Sequence, residues 1–247
     1  MIINPFIFGA TLWTPANITT LAWYDASDTG TITSSLGKVS QWDDKSGNTR
    51  HLTQGTGAYQ PTTGSATMNG LNAIAFDGTD DRLNAPAGLP NAFTYFFVFE
   101  VSAASRVFMY AEQSGSNTKN SLSCQSNTLV FDQYLPSGNS IVSPTLSGNN
   151  LVVVRQSATN SRQLFYNGNA DGTSTEVYSG TAPTAFYIGA RVSSLEPFDK
   201  PIAEIVFFSS ALSTGDRQKT EGYLAHKWGL TGKLPSGHPY KSTPPYV

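Results

Sequence analysis

The chain has 247 residues, 39% hydrophobic and 12% aromatic, enough for one large β-sandwich or two small domains with a real core. Only 13% is charged, 15 Lys and Arg against 17 Asp and Glu for a net −2, and with no long basic run the chain has no basis for broad electrostatic binding to nucleic acid. Its polarity comes from Ser, Thr, Asn, Gln and 22 Gly, a surface that suits glycans or protein neighbours, and its single cysteine, Cys124, permits no intrachain disulfide.

The opening Met-Ile-Ile-Asn-Pro-Phe-Ile-Phe-Gly lacks a positive n-region, and Pro5 and Gly9 interrupt its apolar stretch. It makes a poor signal peptide and is too short to span a bilayer, so the expectation is a product of the cytoplasm with no membrane insertion. Residues 1–12 read as an N-terminal arm, and 13–247 as one domain. Ile2, Ile3, Phe6, Ile7 and Phe8 are too apolar to lie free in water. They form either an edge strand on their own domain or an anchor that docks on a partner subunit.

From Leu21 onward the pattern is strands and turns. Leu21–Tyr24 and Val39–Trp42 are short strands, the second followed by the turn signal Asp43-Asp44-Lys45-Ser46-Gly47-Asn48. Ala73–Phe76 enters an Asp77-Gly78 turn. Phe93–Val101 is the most informative segment: Phe93, Tyr95, Phe97, Phe99 and Val101 point one way and Phe96 and Val98 the other, as in a central strand buried on both faces. Arg106–Ala111, Leu129–Asp132, Leu151–Arg155, Gln163–Tyr166 with its Asn167-Gly168 hairpin signal, Phe186–Ile188 and Ile202–Phe208 complete the set. Ser213 with Asp216 predicts the start of a single helix running to about Trp228, with Gly229 just past its end. A proline-rich tail follows and is expected to lie along the domain surface.

Phe165-Tyr166-Asn167-Gly168, Tyr187-Ile188-Gly189-Ala190-Arg191 and Pro197-Phe198 through Ile202–Phe208 into Ala211-Leu212-Ser213 resemble the strands and turns of laminin-G/concanavalin A-like domains. Lys200-Pro201 stands where that family often has Gly. The stretches Trp23-Tyr24-Asp25-Ala26-Ser27-Asp28, Trp42–Asn48, Phe76–Leu83, Glu221–Leu230 and Leu234-Pro235 to His238-Pro239-Tyr240 resemble a bacterial and phage subgroup, so the likeness spans residues 21 to 245. The resemblance implies an all-β fold: a two-sheet antiparallel jelly-roll sandwich with one short C-terminal helix. With the arm, it implies a non-enzymatic component of a bacteriophage particle, a head decoration or tail/fibre protein, whose partners are other virion proteins and copies of itself. The alternative is a carbohydrate-binding module for host or surface attachment; a glycan-active hydrolase stands third, because one fold hosts many functions.

Hydrolysis of a glycosidic bond needs two carboxylates flanking it. The glucanases that resemble this fold carry theirs as Glu-x-Asp-x-(x)-Glu on one strand, and none of Glu100, Glu112, Glu176, Glu196, Glu204 and Glu221 stands in such a run. Glu100 and Glu204 sit on strands and could face each other. Asp77, Asp80 and Asp81 form a short acidic turn, and laminin-G-like domains often bind calcium through carboxylates and carbonyls at a rim, although a tight turn wants the same residues for backbone reasons. His51, His226 and His238 have no zinc-ligand spacing, and no nucleophile elbow or phosphate-binding loop occurs. Loop residues able to stack on or hydrogen-bond a sugar include Tyr59, Tyr134 and Asn139.

Overall fold

Turn chemistry cuts the chain into many short strands. The computed structural model describes residues 10–86, 88, 90–104, 106–112, 119–133, 139–157, 161–175, 185–190 and 197–247. In chain order the strands are β1 (Ala22–Asp25), β2 (Ile32–Ser35), β3 (Lys38–Trp42), β4 (Leu52–Thr53), β5 (Thr62–Met68), β6 (Leu71–Ala75), β7 (Leu83–Ala85), β8 (Phe93–Glu100) and β9 (Arg106–Glu112). Then come β10 (Lys119–Gln125), β11 (Thr128–Gln133), β12 (Asn139–Val142), β13 (Asn149–Gln156), β14 (Arg162–Tyr166), β15 (Asn169–Ser174), β16 (Ala185–Ile188) and β17 (Pro201–Phe208). The α-helix α1 (Thr214–Lys227) follows. Among the described residues no helix is long and apolar enough to cross a membrane.

Every pairing is antiparallel. One layer runs β15–β14–β13–β8–β17–β1, with β6 and β5 joining at the first residues of β17. The other runs β2–β3–β4–β7–β16–β9–β10–β11–β12. The single pair Lys38↔Thr62 links β3 to β5 and closes one edge, while β12 lies near β15 at the other. The result is the expected antiparallel jelly-roll sandwich.

The Phe93–Val101 pattern sets its centre. Phe93, Tyr95, Phe97, Phe99 and Val101 face the space between the layers, where they meet Ile205 and Phe207 of β17 and Met109, Leu122, Phe131 and Phe186 of the opposite layer. Phe96 and Val98 face outward onto Leu151, Val153, Val206 and Phe208 and, over them, Leu224 and Trp228 of α1. A helix covers the back of this layer, so both parities of its central strands must be apolar. Truncating any one of these buried phenylalanines costs about 3–5 kcal/mol in comparable cores.

Several strands carry no such signal. Thr62–Met68 forms β5, yet its side chains are mostly exposed or half-buried, so selection for an apolar face is absent and the period of two does not show. Trp13, Trp23, Trp42 and Trp228 are all buried. Cys124 lies in β10, fully buried, and burial pushes its thiol up to about 11, which leaves it an inert hydrophobe.

The helix begins as its sequence requires. Ser213 accepts from the Asp216 N–H at 3.1 Å while its hydroxyl meets the Asp216 carboxylate at 2.8 Å, and Gly229 takes φ +71° just past the end. The tail then packs back onto α1. A Cβ on Gly222 would stand 2.4 Å from the Tyr240 Cβ, so only glycine admits this crossing. Buried His238 bonds Glu221 through Nε2 at 3.0 Å, and His226 Nε2 meets the Tyr240 carbonyl at 2.9 Å. The last residues reach the first described ones: Leu12 bridges Tyr246, the Trp13 N–H donates to the Pro245 carbonyl at 3.0 Å, and the Val247 N–H donates to Thr11 at 3.0 Å.

Candidate functional site

The acidic turn between β6 and β7 sits on the rim of the sandwich. Phe76 is buried and anchors its start. Asp77 Oδ1 accepts from the Thr79 N–H at 2.8 Å and the Asp80 N–H at 3.4 Å, the self-bonding that favours Asp at the head of a turn. Gly78 takes φ +74°, donates its N–H to the Phe198 carbonyl at 3.0 Å, and passes so close to Asp199 that an added Cβ would lie 2.7 Å from that residue's own Cβ. The turn is thereby clamped by the segment that leads into β17.

Asp81 closes the turn from inside. Its Oδ2 accepts from the Asp77 N–H at 3.0 Å, while its Oδ1 is buried with no hydrogen-bond partner. The nearest cation, Lys38 Nζ, stands 4.0 Å from Oδ1, and the Asp81 side chain is 1% exposed. Burial, reinforced by the charge of Asp77, pushes the Asp81 carboxyl up to about 6. Asp77, Asp80 and Asp81 each place a carboxylate oxygen within 4.8 Å of the others.

A second segment joins this rim. Tyr59 ends a short 3-10 turn, and its carbonyl accepts from the Arg82 N–H at 3.0 Å. The Arg82 guanidinium stacks over the Tyr59 ring at 3.8 Å and reaches the Asp80 carbonyl at 3.3 Å. Lys38 Nζ bonds the Gln60 carbonyl at 2.9 Å, and Gln54 ties the two segments by donating to the Arg82 carbonyl at 3.0 Å. The rim thus gathers an aromatic ring, two cations and three carboxylates. The donor set around Asp81 is all oxygen and includes one oxygen without a partner, so these residues fit a hard cation such as calcium. The same set offers donors and acceptors suited to sugar hydroxyls.

The structure therefore brings together Tyr59 and the Asp77, Asp80 and Asp81 turn, two groups of candidates that the sequence presents separately. Lys38 and Arg82 are additions; Arg82 had a local signal, as the residue that directly follows Asp81. Tyr134 and the arm residues Ile2, Ile3, Phe6, Ile7 and Phe8 lie outside the described residues. Asn139 pairs with Gln133 through its backbone at the edge of the second layer, and its side chain lies outside them too.

A denser charge cluster lies under α1. Glu204, completely buried, accepts from Trp23 Nε1 at 2.7 Å, Trp228 Nε1 at 2.6 Å, the Tyr223 hydroxyl at 3.0 Å and Lys227 Nζ at 2.7 Å. Asp25 stands opposite Glu204 across the β1–β17 pair, and Lys227 bridges the two carboxylates, reaching Asp25 at 2.6 Å. Complete burial pushes the Glu204 carboxyl above its ordinary value, with Lys227 opposing. At Asp25 burial acts the same way but is overcome by Lys227, Ser27 and Lys45, which hold that carboxyl below its ordinary value. Glu204 reaches this position through a β-bulge. The register against β8 jumps from Ile202↔Phe99 to Glu204↔Val98, so Ala203 is the extra residue that turns Glu204 toward the helix. Glu204 does not face Glu100, which instead lies 3.5 Å from Lys200.

No protein-family model and no curated protein matches the chain. Among solved structures it is similar to domain 4 of AbnA, a GH43 extracellular arabinanase from Geobacillus stearothermophilus, in complex with arabinotriose: 13% identity, TM-score 0.56, covering 80% of this chain and 95% of that one. It is similar to the botulinum neurotoxin serotype D ligand-binding domain in complex with N-acetylneuraminic acid, with 12% identity, TM-score 0.55 and coverage of 81% and 49%. It is also similar to Trypanosoma rangeli sialidase in complex with sialic acid, with 14% identity, TM-score 0.59 and coverage of 88% and 36%. The chain spans about half of the toxin domain and about a third of the sialidase. At these identities the likeness establishes the fold, a β-sandwich shared with domains solved with sugars.

Proposed function

We propose that the chain is a non-catalytic carbohydrate-binding module whose ligand seats on the rim formed by Tyr59, Arg82 and the Asp77–Asp81 turn, with calcium joining the carboxylates. The observation that carries this reading is the meeting of a half-exposed aromatic ring, a stacked guanidinium and a carboxylate cluster at one place. The sugars bound by the arabinanase domain, the toxin domain and the sialidase support it. The state of the carboxylates argues against catalysis. Asp81 has the raised value a general acid needs, but its side chain is 1% exposed and out of a substrate's reach. Glu204 and Glu221 are buried and bonded to donors on both oxygens.

A glycan array read with and without calcium tests the proposal. Binding is expected to need calcium and to be lost in Tyr59→Ala and in Asp80→Asn, with no hydrolysis of the bound glycan over days. Binding that survives both substitutions would move the site elsewhere; released product would make the chain an enzyme.

A second reading, a virion structural component in which the arm of residues 1–12 docks on a neighbouring protein, rests on the apolar run Ile2, Ile3, Phe6, Ile7 and Phe8; because Thr11 and Leu12 already pair with Val247 and Tyr246, its test removes residues 1–9 alone. Both readings hold together if many copies on a particle gain avidity from weak sugar contacts. A version lacking residues 1–9 should stay folded and monodisperse by light scattering yet fail to bind emptied phage particles; unchanged docking refutes the arm's role.

A further inference from the structure

We propose that a pocket on the helix-covered face of the first layer binds the carboxylate of an acidic sugar between Arg155 and Arg217. The pocket has a volume of about 290 Å³ and is lined by Arg155, Gln163, Phe165, Leu212, Thr214 and Arg217. It lies apart from the Asp77–Asp81 rim. Its walls follow from strand parity. Leu151 and Val153 of β13 face α1, so Arg155 does as well, beside Gln163 and Phe165 of β14. Arg217 comes from the second turn of α1, whose first residue is Thr214.

The two guanidiniums are only partly engaged. Arg155 donates from Nε to the Leu212 carbonyl at 3.0 Å and from Nη1 to Gln163 Oε1 at 2.9 Å. Arg217 lies over the Phe165 ring at 4.1 Å and pairs with Glu221 through Nη1. Among the described residues that leaves Arg155 Nη2, Arg217 Nε and Nη2, and Gln163 Nε2 for a ligand. Arg155 has no carboxylate partner among the described residues, whereas Arg217 is 8% exposed and held by Glu221. Burial, and then repulsion from Arg217, make the charge on Arg155 costly and hold its value below the ordinary one. An anion placed between two such groups relieves that repulsion and accepts from both, and arginine's planar fork matches a carboxylate's two oxygens. Phe165 and Leu212 add an apolar wall for the C–H face of a sugar ring, and the pocket is larger than a lone oxyanion fills. Gln163 and Thr214 supply hydrogen bonds to hydroxyls.

The sugar part of this inference rests on the carbohydrate-binding reading; the anion part does not. The test is a titration of the full chain, followed by NMR shifts at low salt, with sodium glucuronate, glucose and sodium sulfate. Glucuronate should bind at least tenfold tighter than glucose and weaken as salt is added. Arg155→Gln should weaken it at least tenfold, Arg155→Lys less, and Tyr59→Ala not at all; thermal melts confirm that each variant is folded. The proposal is overturned if glucuronate binds no better than glucose or is indifferent to both Arg155 substitutions. Sulfate binding as tightly as glucuronate overturns the sugar assignment. Should the glycan array find nothing on the rim while glucuronate still depends on Arg155, the rim reading fails and this pocket stands. Rim binding without glucuronate binding overturns this pocket and leaves the rim reading in place.

Discussion

Two of the buried carboxylates among the described residues sit under opposite conditions. Glu204, under the helix, has four donors on its two oxygens and a lysine shared with Asp25. Asp81, on the rim, has one backbone N–H on Oδ2, none on Oδ1, and two more aspartates beside it. The first is saturated: it ties β1, β17 and α1 into one unit and has no capacity left for a ligand. The second has its charge only partly compensated, by Lys38 at 4.0 Å, which makes it the better candidate for function.

Breaking the saturated side should have the largest effect. Glu204→Ala strands two buried indole N–H groups, leaves Lys227 to Asp25 alone, and should cost about 3–5 kcal/mol, read as a fall in the urea midpoint. A loss below about 1 kcal/mol would mean that water already shares the site. The rim should respond with the opposite sign. The folded Asp81 binds its proton more tightly than the unfolded chain does, with a value of about 6 against 3.8. Its contribution to stability is therefore full below about pH 4 and lost as pH rises through 6. Asp81→Asn should match the parent at pH 4 and exceed it at pH 7.5 by up to about 3 kcal/mol without calcium. Calcium should narrow that gap by stabilising only the parent; an Asp81→Asn protein weaker than its parent at pH 7.5 in a chelator would refute the account. The smallest change is expected for Asp77→Asn, which keeps the turn's acceptor but removes a neighbouring charge. The midpoint of the stability–pH curve should drop toward the ordinary carboxylate range, with less than about 1 kcal/mol of change at pH 7.5.

Legibility in the sequence tracks how each feature is encoded. Phe93–Val101 could be read because a strand covered on both sides must be apolar at every position that matters, and the helix because Ser213, Asp216 and Gly229 each act within one turn. The acidic turn was visible for the same local reason. Its partnership with Tyr59 was not, since it depends on how β3, β4 and β7 pair. Glu204 was hidden by the bulge at Ala203. Uninterrupted alternation puts Glu204 on the same face as Ile202, toward the interlayer core, and only the extra residue sends it to the helix. Arg155 and Arg217 lie on separate elements, and neither had a local signal.

The pairing of Thr11 and Leu12 with Tyr246 and Val247 brings the first and last described segments to one point on the surface. A domain with adjacent ends can be spliced into an exposed loop of a host protein without prising the host apart, and its own ends can be joined and reopened elsewhere. Joining the chain between Thr11 and Val247 and opening it at a surface turn elsewhere is therefore expected to leave the strand pairing of both layers intact.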